Sequence, residues 1–129
     1  METLSKSQCI ATIAIGLLAL GLETSSVASG SYRYGAFPLK LFGVPLSVIL
    51  GWMIVCIFAY FVSTKKGLLI GVLTAYAIDL ALEPLAFYLG LWVWTNVKTT
   101  PIYFGSTVGN AVVWLGMLTL GVMVLTKAK

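Results

Sequence analysis

Two acidic residues lie four positions apart inside a long apolar run of the chain. Asp79 and Glu83 are separated by Leu-Ala-Leu, and Pro84 follows directly. In a helix, residues at this spacing lie on one face, one turn apart. An acid at the centre of a membrane helix costs about 2.5–3.5 kcal/mol on insertion scales. Two such costs side by side indicate that the pair does chemistry.

The chemistry that suits such a pair is proton transfer. Two buried carboxyl groups this close cannot both carry a charge at low cost, so we expect one neutral acid and one carboxylate. That division of roles is the one that acid–base catalysis requires. In apolar surroundings the expected step is protonation of a carbon–carbon double bond, with aromatic faces stabilising the cation. Two other uses remain open, a hydrogen-bonded pair that locks helices together and a path for protons or ions.

The composition predicts an integral membrane protein. Hydrophobic residues make up 60% of the chain and charged residues 9%, whereas a soluble domain of this length needs more polar surface. The net charge of +4 comes mostly from lysines at the ends of apolar runs. This placement favours lipid headgroups, and not nucleic acid, as the partner.

The residue types also exclude several kinds of site. The chain has no histidine, which excludes a histidine general base and ordinary haem ligation. Cys9 and Cys56 do not form a Cys-x-x-Cys pair, so we expect neither a disulfide nor a metal site.

The apolar runs predict an all-α, polytopic bundle of four transmembrane helices in a single domain covering residues 1–129. The expected spans are about 8–26, 44–62, 67–94 and 103–125. Residues 30–43, rich in glycine and aromatic residues, predict an embedded or interfacial loop after the first helix. This loop is either an aromatic belt with a snorkelling Arg33 or a lid that brings Arg33 or a tyrosine to the carboxylates. The lysine balance favours a plasma-membrane protein with cytoplasmic termini.

At about 1.5 Å per residue, the strongly polar residues of all four spans fall at one depth. These residues are Glu23, Trp52, Asp79, Glu83 and Asn110. A lone asparagine or tryptophan in a span more often packs helices together than takes part in chemistry. The shared depth of these residues, however, favours a functional site.

Two further groups at this depth need partners. Trp52 lies in mid-span, where its indole N–H needs an acceptor that one of the acids could supply. Pro84 removes a backbone donor, so the carbonyl of Leu80 is left free as a polar acceptor.

Three blocks of the chain, all within residues 23–114, form a recognisable set. The blocks are Glu23 with Gly30-Ser31-Tyr32-Arg33-Tyr34, Gly43-Val44-Pro45-Leu46 and Trp52; Asp79 with Glu83-Pro84 and Gly90-Leu91-Trp92-Val93-Trp94; and Tyr103-Phe104-Gly105 with Asn110 and Trp114. Together they resemble a family of integral-membrane carotenoid biosynthesis proteins. The family includes carotenoid hydratases of the bacterioruberin type, which act on terminal double bonds. Two departures are Glu83, where an aspartate is more usual, and Ser106-Thr107, where Val-Pro is expected.

The resemblance implies hydration of a terminal isoprenoid double bond in a carotenoid or other polyisoprenoid, with no cofactor. The implied catalytic residues are Asp79, Glu83 and Glu23. The implied substrate-binding residues are Tyr32, Tyr34, Trp52, Trp92, Trp94, Asn110 and Trp114. Because family hydratases are about twice as long, the chain resembles a half-length member, and we expect a homodimer or a partner in a membrane complex. A lycopene cyclase-like enzyme and a non-catalytic carotenoid- or lipid-binding subunit remain alternatives.

Overall fold

Four long helices form the framework of the computed structural model, which describes residues 3–96 and 98–129. The helices are α1 Lys6–Ala28, α2 Leu46–Lys66, α3 Leu68–Leu89 and α4 Val108–Lys127. Each is long and apolar enough to span a membrane. The chain is therefore an integral membrane protein, and the predicted all-α bundle of four helices is confirmed.

Three short antiparallel strand pairs cover one end of the bundle. Strands β1 Tyr32–Tyr34 and β4 Trp92–Trp94 pair with each other, and the hairpins are β2 Lys40–Leu41 with β3 Val44–Pro45 and β5 Pro101–Tyr103 with β6 Ser106–Thr107. The predicted loop after the first helix, residues 30–43, contains β1 and β2, whereas β3 takes up residues 44–45, where the second span was expected to begin.

The ends of the last two helices differ from the predicted spans. Gly90 adopts a left-handed conformation with φ of 67° and ends α3, because glycine takes up this conformation without a steric penalty. Residues 92–94, expected in the third span, form β4 instead. The fourth helix begins at Val108 and not at 103, because the second hairpin takes up the preceding residues.

The two halves of the chain repeat one order of elements, helix, strand, hairpin and helix. In the first helix and the strand of each half, equivalent residues lie 60 positions apart. From the hairpin to the end of the second helix of each half, they lie 62 positions apart. Equivalent pairs include Glu23 and Glu83, Gly30 and Gly90, Tyr32 and Trp92, Tyr34 and Trp94, and Trp52 and Trp114. We call residues 6–66 the first half and residues 68–127 the second half.

The backbone follows the same repeat. In the β1–β4 pair, Tyr32 lies opposite Trp94 and Tyr34 opposite Trp92, so the pairing is symmetric about Arg33 and Val93. Both hairpins turn on Phe-Gly with positive φ at both residues, 53° and 81° in the first and 47° and 83° in the second, as in a type I′ turn. An approximate two-fold axis through the β1–β4 pair therefore relates the halves.

Small residues allow the helices to pack closely along this axis. Ala19, Cys56, Ala59 and Ala75 are fully buried, and close backbone approach of this kind is typical of membrane helix interfaces. On the axis itself, the rings of Trp52 and Trp114 stack with centroids 4.2 Å apart.

We expect Gly71→Ala to destabilise the bundle by about 1–3 kcal/mol, as overpacking does in other cores. A Cβ at Gly71 would lie 2.6 Å from the carbonyl oxygen of Ala59, and a backbone atom of α2 cannot move away cheaply. Thermal unfolding in detergent measures the effect. Gly116→Ala is the matched control, because no atom lies within 4 Å of its added Cβ. Equal unfolding temperatures for the two variants would contradict the tight α2–α3 contact.

Candidate functional site

A cavity of about 250 Å³ lies beneath the β1–β4 pair, mainly between α2 and α3. All ten residues predicted for the site reach its wall: Glu23, Tyr32, Tyr34, Trp52, Asp79, Glu83, Trp92, Trp94, Asn110 and Trp114. They come from all four helices and from both central strands. The predicted common depth of the polar residues therefore corresponds to one shared cavity.

Glu23, near the end of α1, accepts hydrogen bonds from three side chains. Trp52 Nε1 donates to Glu23 Oε1 at 2.9 Å, Tyr34 donates to Oε2 at 2.6 Å, and the Tyr32 hydroxyl donates to the same oxygen. Residues i and i+2 of a strand point to one face, which is why β1 presents both tyrosines together. The acceptor expected for Trp52 is therefore Glu23. Of the two lid candidates, the tyrosines face the carboxylate, while Arg33 is exposed.

The charge state of this cluster follows from its donors. Burial, and then the negative charge of Glu23, raises the pKa of both Tyr32 and Tyr34, so both remain phenols that donate. Three donors therefore point at Glu23. A carboxylate only accepts hydrogen bonds, whereas a carboxylic acid must also donate one, so this arrangement suits a carboxylate.

Asp79 and Glu83 are much less well satisfied. Each is 2% exposed, and they lie one turn apart on α3, as the sequence predicts. Glu83 accepts a hydrogen bond from Trp92 Nε1 at 3.2 Å. Asp79 Oδ2 is buried and has no hydrogen-bond partner among the described residues. A buried oxygen without a partner is costly, so a ligand that donates a hydrogen bond would gain more at this pair than at Glu23.

The proline after the acids has the predicted consequence. Pro84 lies inside α3, and the carbonyl of Leu80, which it leaves free, accepts a hydrogen bond from the Tyr103 hydroxyl at 2.8 Å. This bond ties the second hairpin to the helix that carries the acids. It therefore holds the turn of α3 that contains Pro84, next to the cavity.

Aromatic rings form much of the rest of the wall. Edge-to-face contacts join Tyr32 to Trp94 at 4.9 Å and Tyr34 to Trp92 at 6.2 Å between ring centroids. Asn110 Nδ2 donates to Ser106 Oγ at 2.8 Å, so its amide is held at the start of α4. Such rings can stabilise a cation through their π faces.

Several lining residues were not predicted from the sequence. They are Phe37, Ser47, Val48, Gly51, Val55, Leu82 and Leu91. Val48, Gly51 and Val55 share one helical face with Trp52, at spacings of three and four residues, so periodicity around that tryptophan could have identified them. Among residues 3–96 and 98–129, no three His, Cys, Asp or Glu side chains are grouped to hold a metal ion.

Comparison with known proteins gives one match. A family model described as "Carotenoid biosynthesis protein" matches residues 2–128 of the 129-residue chain. No curated protein and no solved structure matches the chain. The match covers both halves and every residue of the cavity. The chain belongs to the carotenoid biosynthesis protein family, and its role is in carotenoid biosynthesis.

Proposed function

We propose that this protein adds water to a terminal carbon–carbon double bond of a carotenoid or a related polyisoprenoid by acid catalysis. The observation that carries the proposal is the buried Asp79–Glu83 pair, with its unpartnered oxygen, at the wall of an aromatic cavity. An acid held away from water beside an apolar cavity is suited to protonate an alkene. The other carboxylate of the cavity, Glu23, has its hydrogen bonds already satisfied by three donors.

The reaction balances without a cofactor. The acid pair donates one proton to the less substituted alkene carbon, the π bond breaks, and a tertiary carbocation forms on the neighbouring carbon. The oxygen of a water molecule then bonds to the cation. The oxonium ion so formed returns a proton to the acid pair, which is regenerated, and the product is a tertiary alcohol.

The residues divide between these steps. Either Asp79 or Glu83 delivers the proton, and the other positions or deprotonates the water. Glu23 supplies negative charge and Trp52, Trp92 and Trp94 supply π faces to the developing cation. Tyr32, Tyr34, Asn110 and Trp114 complete the wall.

The size of the cavity favours one end of a polyene as the part that binds. At about 250 Å³ it is smaller than the roughly 300–1,000 Å³ typical of sites that enclose a drug-sized ligand. The remainder of the substrate would lie along the apolar outer surface of α2 and α3, among membrane lipids. A homodimer or a membrane complex would provide further cover.

The charges suggest how the protein is oriented. Lys6, Lys65, Lys66, Lys127 and Lys129 lie at the end of the bundle with the termini, against Arg33, Lys40 and Lys98 at the strand end. The positive-inside rule then places the termini in the cytoplasm. The cavity lies in the outer half of the plasma membrane in this orientation.

A carotene cyclase is the second candidate, because most side chains around the cavity are apolar. Cyclisation begins with the same protonation and ends with loss of a proton, so it needs no water. A subunit that only binds carotenoid or lipid would use the same cavity without any reaction.

Expression in a lycopene-producing host, followed by mass spectrometry of the pigments, separates these functions. We expect products heavier than lycopene by the mass of one water for each end that reacts. Products of unchanged mass and altered retention would establish cyclisation. Unaltered lycopene that co-purifies with the protein would contradict catalysis and establish a binding subunit. The same host without the gene is the control.

A further inference from the structure

A second cavity, of about 200 Å³, lies between α1 and α4. It is the counterpart of the first cavity under the internal repeat, since the first lies between α2 and α3. Equivalent positions line the two: Leu22 and Leu82, Glu23 and Glu83, Ser31 and Leu91, Tyr32 and Trp92, Asn110 and Val48, and Val113 and Gly51. The duplicated fold therefore forms the same cavity twice.

The two cavities differ in polarity. Ser31 lies in the second cavity where Leu91 lies in the first. Asn110, the equivalent of Val48, lines both cavities. Four more hydrogen-bonding side chains line only the second cavity, Ser26, Lys98, Thr99 and Thr107, whereas Tyr34, Ser47 and Glu83 line only the first. Conversely, Asp79 lines only the first cavity, and its equivalent in the first half is the buried Ala19. The first cavity thus holds the acid pair in a lining that is more apolar overall, and the second has more neutral and basic polar side chains.

Both cavities meet at one group of side chains. Glu23, Tyr32, Trp52, Trp94 and Asn110 line both of them. A single layer of side chains therefore separates the polar cavity from the apolar one. Within this layer, the buried Nε1 of Trp94 has no hydrogen-bond partner in the described part of the chain.

We propose that the second cavity is a water site that supplies the first one across this shared layer. The proposal rests on the hydratase function proposed above, and it gives that reaction its second substrate. A volume of about 200 Å³ holds several waters at roughly 30 Å³ each, and the polar lining provides the partners that ordered waters need. The polyene end and the water then reach Glu23 and Asn110 from opposite sides.

Cysteine accessibility tests the water site without any assay of activity. In a Cys9→Ser/Cys56→Ala background, Val113→Cys is placed in the second cavity and Gly51→Cys at the equivalent position of the first. A charged, membrane-impermeant thiosulfonate reagent added to vesicles is expected to modify Val113→Cys and to leave Gly51→Cys unmodified. Lack of modification at position 113 in the folded protein, with full reaction after denaturation, would overturn the proposal.

Ser31→Leu tests the supply of water to the reaction, because it gives the second cavity the residue found at position 91. The reaction is run in D₂O with the variant and with the wild-type protein. We expect the variant to hydrate the polyene roughly 10²-fold more slowly, the scale seen when a reactant is misplaced. Recovered polyene should still gain carbon-bound deuterium, because the acid pair continues to protonate it. Unchanged hydration, or an equal loss of hydration and deuterium uptake, would refute the water route. If the wild-type protein hydrates nothing, the proposed function fails, while the cysteine experiment still decides the site.

Discussion

Asp79→Asn is expected to lower the rate of water addition by about 10²–10⁴-fold, the contribution of a general acid in other enzymes. The amide has nearly the shape of the acid, so the cavity keeps its form, but it cannot deliver a proton. Glu83→Gln is expected to have a similar effect. Because the two carboxyl groups act as one unit, the double variant should be little slower than either single variant. Initial rates with purified protein and polyene in lipid vesicles measure this.

The control for these rates is Thr74→Val on the same helix. Thr74 is exposed and its hydroxyl donates only to the carbonyl of Ile70 within α3. We expect this variant to keep the wild-type rate. Binding of the polyene, followed by its absorption spectrum, should be retained in all variants. Hydration at the wild-type rate by both acid variants would remove the acid pair from the mechanism.

Glu23→Ala is expected to be the most destabilising substitution in the site. It leaves three donors, Tyr32, Tyr34 and Trp52, without their acceptor, at a cost on the order of 1–3 kcal/mol for each buried group. Thermal unfolding in detergent, followed by tryptophan fluorescence, measures the loss.

The equivalent substitution in the second half provides the matched control. Among residues 3–96 and 98–129, Trp92 is the one side chain within full hydrogen-bonding distance of Glu83, so Glu83→Ala should lower the unfolding temperature much less. An equal loss of stability in the two variants would show that the three donors do not hold Glu23 as described.

The four helices and the common depth of their polar residues could be predicted because both follow from local properties of the chain. Apolar runs of about 20 residues give the spans, and a rise of about 1.5 Å per residue gives the depth of each polar residue. The bonds from Trp52 to Glu23 and from Tyr103 to the Leu80 carbonyl also follow from local chemistry, since a buried donor or acceptor needs a partner. The sequence predicted that Trp52 needs an acceptor and that an acid could supply it. It also predicted that the Leu80 carbonyl is free, but it did not identify Tyr103 as the donor.

The strand pairs could not be predicted in this way. β1 and β4 are three residues each and lie about 60 positions apart, so their pairing is non-local and neither has the length of an ordinary strand. Trp92 and Trp94 extend an apolar run and are therefore easily taken as helical. Only Gly90 signals the end of α3.

The internal repeat could have been found from the sequence. The same features recur in the same order in both halves: a glycine, two aromatic residues at alternate positions, a Phe-Gly turn and a tryptophan. The residue types differ, with Tyr-x-Tyr in the first half and Trp-x-Trp in the second, so identity alone hides the pattern. Comparing residue classes at a fixed spacing would have revealed two equivalent acids, Glu23 and Glu83, and with them the two cavities.

Deuterium transfer tests the central claim most directly, namely that the acids of the cavity protonate a carbon atom. The purified protein is incubated with lycopene in D₂O, and the product is returned to H₂O before mass spectrometry to remove exchangeable deuterium. The mechanism predicts one carbon-bound deuterium for every water added. In Asp79→Asn, we expect the hydrated product and its carbon-bound deuterium to be lost together. A hydrated product that carries no carbon-bound deuterium would contradict it.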